Sequence, residues 1–353
     1  MIWLTWRQFR GSVAMVAVIL IILAVALAVT GPQLASAYSA GIDDCSAQNT
    51  CENFYNRFFG AHQLPFMALT LVVLVLPALL GLFWGAPMIT RELEAGTHLL
   101  VWNQSVTRRR WLAVKLGLTG LVTVASAGLC GLMVTWWSSP LDDSAAEGMA
   151  LMAPLVFGAR GITPMGYAAF AFVLGVTIGL VVRRTLPAMA ITLAVFAAIQ
   201  LVLPTALRPH LATPVTATFE LGMSNMESLS IPQEGGTPPR LFLREAVPGK
   251  PGSWVLTNEL LGPSGKVIPG GSGGSGAVID VSSTSGPCAP GSAAAGAGDG
   301  CLGEVNRLGY RQKVTYQPLE RFWQFQWIET GIYALLTAGL TWLSFWWIRR
   351  RVS

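Results

Sequence analysis

Apolar residues gather into six long runs separated by polar segments. The runs cover about Val13–Thr30, Pro65–Pro87, Leu112–Trp137, Gly166–Val182, Leu186–Leu207 and Phe325–Ile348. A helix needs about 20 predominantly apolar residues to cross a bilayer, so each run predicts a transmembrane helix, the fourth being the shortest. Residues 1–12 are different. At helical spacing Ile2, Trp6 and Phe9 share a face while Arg7 and Arg10 reach water, which predicts a short helix lying in the membrane interface. A cleavable signal peptide ending at Ala37 is the competing reading. The apolar stretch is too long for it, and further spans follow.

Charge orients this pattern. With the N-terminus inside, the short inner pieces carry Arg7 and Arg10, then Arg91 to Lys115, then Arg183 and Arg184, then Arg349, Arg350 and Arg351. The opposite side holds Asp43, Asp44, Asp142, Asp143 and Glu147. Basic residues in short loops mark the cytoplasmic side, which predicts cytoplasmic N- and C-termini. Trp323 and Trp327 at one end of span six, and Trp346 and Trp347 at the other, fit interfacial belts. The sequence is thus expected to be an all-α polytopic membrane protein of six transmembrane helices, with a small β-containing extracellular domain between helices 5 and 6. Residues 13–207 hold spans 1–5 with a cytoplasmic segment at 88–111. Residues 208–321 form the outer domain, and residues 322–353 hold span 6 and a basic tail.

Composition agrees. The chain has 353 residues, 52% hydrophobic and only 12% charged, with mean hydropathy +0.53. Soluble domains carry about 25% charge. The net charge of +5 is spread over the ends of apolar runs, which argues against a nucleic-acid surface. In the outer domain, strand-like pieces occur at Trp254–Thr257, Ala277–Val281 and Lys313–Tyr316. The Gly/Ser/Ala-rich tract at 270–300 reads as mobile. Cys45 and Cys51 lie in one outer segment, and Cys288 and Cys301 in another. Each pair closes a short local loop on an oxidising face, so disulfides Cys45–Cys51 and Cys288–Cys301 are expected, although four cysteines allow three connectivities. Cys130, inside span three, reads as an inert apolar residue.

Candidate chemistry is sparse. His62, His98 and His210 are scattered, with no metal-ligand spacing and no nucleophile–base pattern. GPSGKV at Gly262–Val267 lacks the first glycine of a phosphate loop and has Val267 where a hydroxyl should hold magnesium, so it reads as a turn. No catalytic residue and no metal site is expected. Glu329 is the one acid within a predicted span, and two readings of it stay open: an interfacial hydrogen-bonding group or part of a pathway. The pairs Gly81–Gly85 and Gly175–Gly179 form GxxxG patterns that permit close helix approach.

The segment between spans two and three, TRELEAGTHLLVWNQSVTRRRWLAVK, is the most informative. RELEAGT followed by QSVTRRRWLAVKL resembles the coupling segment of type-2 ABC exporter permeases. TWRQFR near the N-terminus, the tight turn at Arg183–Arg184 and the large insertion between spans five and six are similar to that family too. LVWNQSVTR, YQPLERFWQFQWIE and WWIRRR resemble a permease subfamily common in actinobacteria. The resemblance implies a bacterial plasma-membrane homodimer that pairs with separate ABC ATP-binding subunits. Those subunits would hold ATP and Mg, with no cofactor in this chain. It implies coupling through Arg91, Glu92, Glu94, Gly96, Thr97, Ser105 and Arg108. It also implies a substrate path near spans two and five, with candidates Phe83, Trp84, Phe196, Gln200 and Glu329. The expected function is efflux of a hydrophobic or amphipathic substrate: a drug, lipid or peptide. The alternative is a membrane module for peptide or cell-wall sensing or immunity without net transport. A passive channel is disfavoured, because the spans lack rings of charged or hydroxyl residues.

Overall fold

The computed structural model describes residues 2–48, 51–96, 107–144, 149–222, 224–230, 238–270, 276–282, 285–289 and 299–350. Its helices are α1 (Ile2–Gln48), α2 (Cys51–Leu80), α3 (Ala86–Glu94), α4 (Arg108–Asp143), α5 (Pro154–Phe157), α6 (Thr163–Val182), α7 (Thr185–Val202), α8 (Asp299–Arg307) and α9 (Phe322–Arg350). Among the described residues, six helical stretches are long and apolar enough to cross a membrane. The second combines α2, a π-helical turn at Gly81–Gly85 and α3.

The first two spans are longer than the hydrophobic pattern suggests. Helix α1 is unbroken over 47 residues, about 70 Å at 1.5 Å per residue, more than twice the hydrocarbon thickness. Residues 2–12 are therefore its first turns rather than a separate interfacial helix, and the polar segment that carries Cys45 and Cys51 is helical over 31–48 and 51–64. The reason lies in its contacts. Tyr38 packs on Phe58 with ring centroids 5.5 Å apart, and Phe58 on Phe54 at 5.4 Å, so the two helices extend as an aromatic-lined pair. The Cys45–Cys51 disulfide joins them, with Cα atoms 4.7 Å apart.

Two compact units make up the chain. The first contains 1–141, 154–211 and 322–353. At its centre is α6, the shortest span and the most enclosed, packed against α2, the π turn, α3, α7 and α9. The two GxxxG patterns meet here. A Cβ on Gly85 would sit 2.5 Å from the Phe172 carbonyl oxygen, and one on Gly175 would sit 2.6 Å from that of Gly81. Only glycine lets these two backbones touch, which is how small residues drive helix packing in lipid. Helix α6 ends at Arg183 in the left-handed region (φ 58°), and Arg184 leads directly into α7.

The second unit contains 142–153 and 212–321. The boundary expected at residue 208 therefore shifts to 212, and a piece following α4 joins this unit. Among the described residues it has seven strands: β1 (Val215–Phe219), β2 (Met226–Ser230), β3 (Arg240–Leu243), β4 (Trp254–Leu261), β5 (Val267–Ile268), β6 (Ala277–Val278) and β7 (Arg311–Gln317). They form two antiparallel sheets, ordered β1-β7-β4-β5 and β2-β3-β6. Gly262–Val267 forms the β4–β5 hairpin turn, with Gly265 at φ 73°. Leu241, Leu260, Ile279, Leu302, Val305 and Tyr310 build a core together with Cys288 and Cys301, which are disulfide-bonded. Of the tract read as mobile, 271–275, 283–284 and 290–298 lie outside the described residues. The rest supplies β6, Cys288 and the start of α8.

Candidate functional site

Two clusters in the membrane-spanning unit hold buried or partly buried ion pairs and hydrogen-bonded carboxylates. The first joins the end of α3 to the starts of α4 and α7. Glu92 on α3 forms an ion pair with Lys115 on α4, and the Lys115 side chain is 6% exposed. The Lys115 ammonium also lies 4.9 Å above the buried Trp111 ring. Glu94 accepts the Thr185 backbone N–H at 2.7 Å and its hydroxyl at 2.8 Å. A carboxylate there meets unsatisfied amides and the positive end of the α7 dipole. Thr90 reaches the same hydroxyl at 2.8 Å. Helix α3 closes with Gly96 at φ 66°, a conformation that favours glycine.

Of the residues expected to couple to an ATPase, Glu92 and Glu94 are thus tied to neighbouring spans within the chain. Arg91 is exposed, and Arg108 opens α4. Thr97 and Ser105 lie outside the described residues. The sequence did not single out Thr185 or Thr90. A threonine at the first position of a helix is a faint signal, and the acid that meets it is 91 residues away.

The second cluster lies among α6, α7 and α9. Arg208 donates through Nε and NH2 to the two carboxylate oxygens of Glu329, both at 2.9 Å. Its NH1 donates to the Pro154 carbonyl at 3.2 Å, and its guanidinium lies 4.4 Å from the Phe157 ring centroid. Tyr167 donates its hydroxyl to the same carboxylate. The side chains of Arg208 and Glu329 are 1% and 5% exposed. Taking both charges out of water costs several kcal/mol per ion, and a bidentate pair with added hydrogen bonds is the arrangement that offsets it. Tyr333 stacks edge-on against Tyr167 and Phe170, and its hydroxyl donates to Gln200 at 2.9 Å. Phe196 packs on Phe170.

Three of the five residues expected on the substrate path, Phe196, Gln200 and Glu329, therefore fall in one cluster. The other two lie elsewhere. Trp84 is buried under Phe9, with centroids 4.7 Å apart, and Phe83 is 58% exposed on the π turn. Glu329 sits in a closed ion pair, its carboxylate engaged by two side chains. Arg208, expected to begin the outer domain, belongs to the membrane-spanning unit, and its partner follows 121 residues later. Among the described residues no group of three His, Cys, Asp or Glu could hold a metal ion.

Glycine-packed spans with a polar clamp at one end make a helical membrane body, and comparison with known families gives it a place. A family model described as ABC-2 membrane transporter related matches residues 17–208, more than half of the chain. The chain belongs to this family. No curated protein and no solved structure matches it. The ABC-2 match runs from within α1 to just beyond α7, so both the Glu92–Glu94 clamp and Arg208 fall within it. The chain is a multi-pass membrane protein, consistent with the bacterial plasma membrane, and is the transmembrane component of an ABC transporter. Such a component lacks the ATPase site and pairs with an ATP-binding subunit.

Proposed function

We propose that this chain is one of two identical transmembrane subunits of an ATP-driven exporter of the actinobacterial type, carrying a hydrophobic or amphipathic molecule out of the cell. Both termini and the segment after Gly96 face the cytoplasm, where two ATP-binding subunits supply ATP and Mg. The observation that carries this reading is the double clamp at the end of α3. Glu92 ties it to α4, and Glu94 ties it to α7. Displacement of the segment that begins at Gly96 is therefore transmitted to three spans together. The glycine contact between the π turn and α6 passes it to the most enclosed span. Coupling of this kind needs rigid connection more than surface charge. The substrate moves along the face shared by two copies near the second and fifth spans, with Phe83 exposed toward it and Phe196 and Gln200 behind.

Reconstitution of the complex with its ATPase in vesicles tests this. Glu94→Arg is expected to leave insertion and ATP hydrolysis intact while flux per ATP falls at least tenfold. An unchanged ratio in the variant rejects the clamp as the coupling element. Hydrolysis stimulated by a peptide or cell-wall fragment, with no flux in the unaltered complex, rejects export in favour of sensing.

A further inference from the structure

A groove of about 420 Å³ runs between α4, α6 and α9, lined by Ala113, Gly117, Gly120, Phe172, Thr341 and Phe345 among others. Among the described residues no charged side chain lines it. It extends along α4 from Ala113 to Val124, about 16 Å at 1.5 Å per residue, which is half of the roughly 30 Å hydrocarbon core. The space exists because small residues face it: a Cβ at Gly117 would meet nothing within 4 Å. At one end the lining faces continue into arginines. Arg109 and Arg110 precede Ala113 by one helical turn on α4, and Arg349 follows Phe345 by one turn on α9. All three are exposed.

We infer that this groove holds one acyl chain of an anionic glycerophospholipid, drawn from the leaflet that meets the arginine end, with the lipid phosphate between Arg109, Arg110 and Arg349. The depth of one leaflet, an uncharged wall and a basic mouth are complementary to that molecule. Basic pockets between transmembrane helices take phospholipid headgroups in this manner. The inference rests on membrane insertion alone and is independent of the direction of transport or the ATPase partner.

Native mass spectrometry of the full chain in detergent, with phosphatidylglycerol and phosphatidylcholine of identical acyl chains, tests it. Phosphatidylglycerol is expected to be retained at one per chain with at least tenfold preference. Combined Arg109→Ala, Arg110→Ala and Arg349→Ala should abolish the preference, since these exposed positions leave the fold alone. Gly117→Phe should expel both lipids, and Gly117→Leu serves where the larger ring prevents folding. Equal retention of the two lipids overturns the inference, as does retention unaffected by filling the groove or competition by glycerol phosphate alone. A disulfide between two copies through Thr341→Cys in the membrane overturns it too, because a second copy would then cover the groove.

Discussion

The residues that matter most are polar groups held within an apolar body. Lys115 and Glu92 form a pair that is largely withdrawn from solvent. Removing one member breaks this pair at a cost of about 3 kcal/mol, whereas replacing both is far milder. Lys115→Met should therefore lower the midpoint of thermal unfolding in detergent well below that of Lys115→Met with Glu92→Leu. Equal losses would show that the two residues act separately. Glu329→Gln leaves the buried Arg208 guanidinium without a countercharge and should destabilise the protein by a similar amount. Little of this was legible in the sequence. Glu329 stood out as an acid within a span, but Arg208 lies 121 residues earlier at the end of another. Distance along a chain conceals a pair that only folding brings together.

At the scale of elements, the spans were legible because burying backbone in lipid demands long apolar helices, and this leaves a pattern in composition. Their extensions were not. The stretch from Gly31 to Leu64 is too polar to read as a span, yet 31–48 and 51–64 are helical, with Tyr38, Phe54 and Phe58 packed across the helical pair. The GxxxG patterns were visible singly, and that they meet each other is a fact of packing. It makes a sharp prediction. Gly175→Ala should cost about 1–3 kcal/mol, since its Cβ would press on the Gly81 carbonyl, while Gly117→Ala should cost almost nothing. Equal behaviour of the two in reversible unfolding would refute the contact. In the second unit, Cys288 and Cys301 sit within the core. Cys301→Ser opens a loop of 13 residues and should destabilise that unit by about 3 kcal/mol. Limited proteolysis of the full chain would show faster cleavage in 212–321 than in the spans.

The whole molecule is a membrane-spanning body joined in sequence to a disulfide-bonded β unit. Its family was legible in one polar segment, RELEAGT onward, because a charged stretch between two spans must leave the bilayer. The physical role of that segment was not. The resemblance implies coupling through Glu92 and Glu94, and the structure shows that they also fasten α3 to α4 and α7. The central claim is that this body moves in response to an ATPase bound at that end. Affinity purification of the tagged full chain in mild detergent, followed by identification of its companions by mass spectrometry, tests the claim most directly. A P-loop ATPase in equal amount to the chain is the expected result, and it should be lost when 97–106 is replaced by a Gly/Ser linker. Recovery of the chain in oligomers of itself, without an ATPase in a preparation that retains other weak complexes, would contradict it.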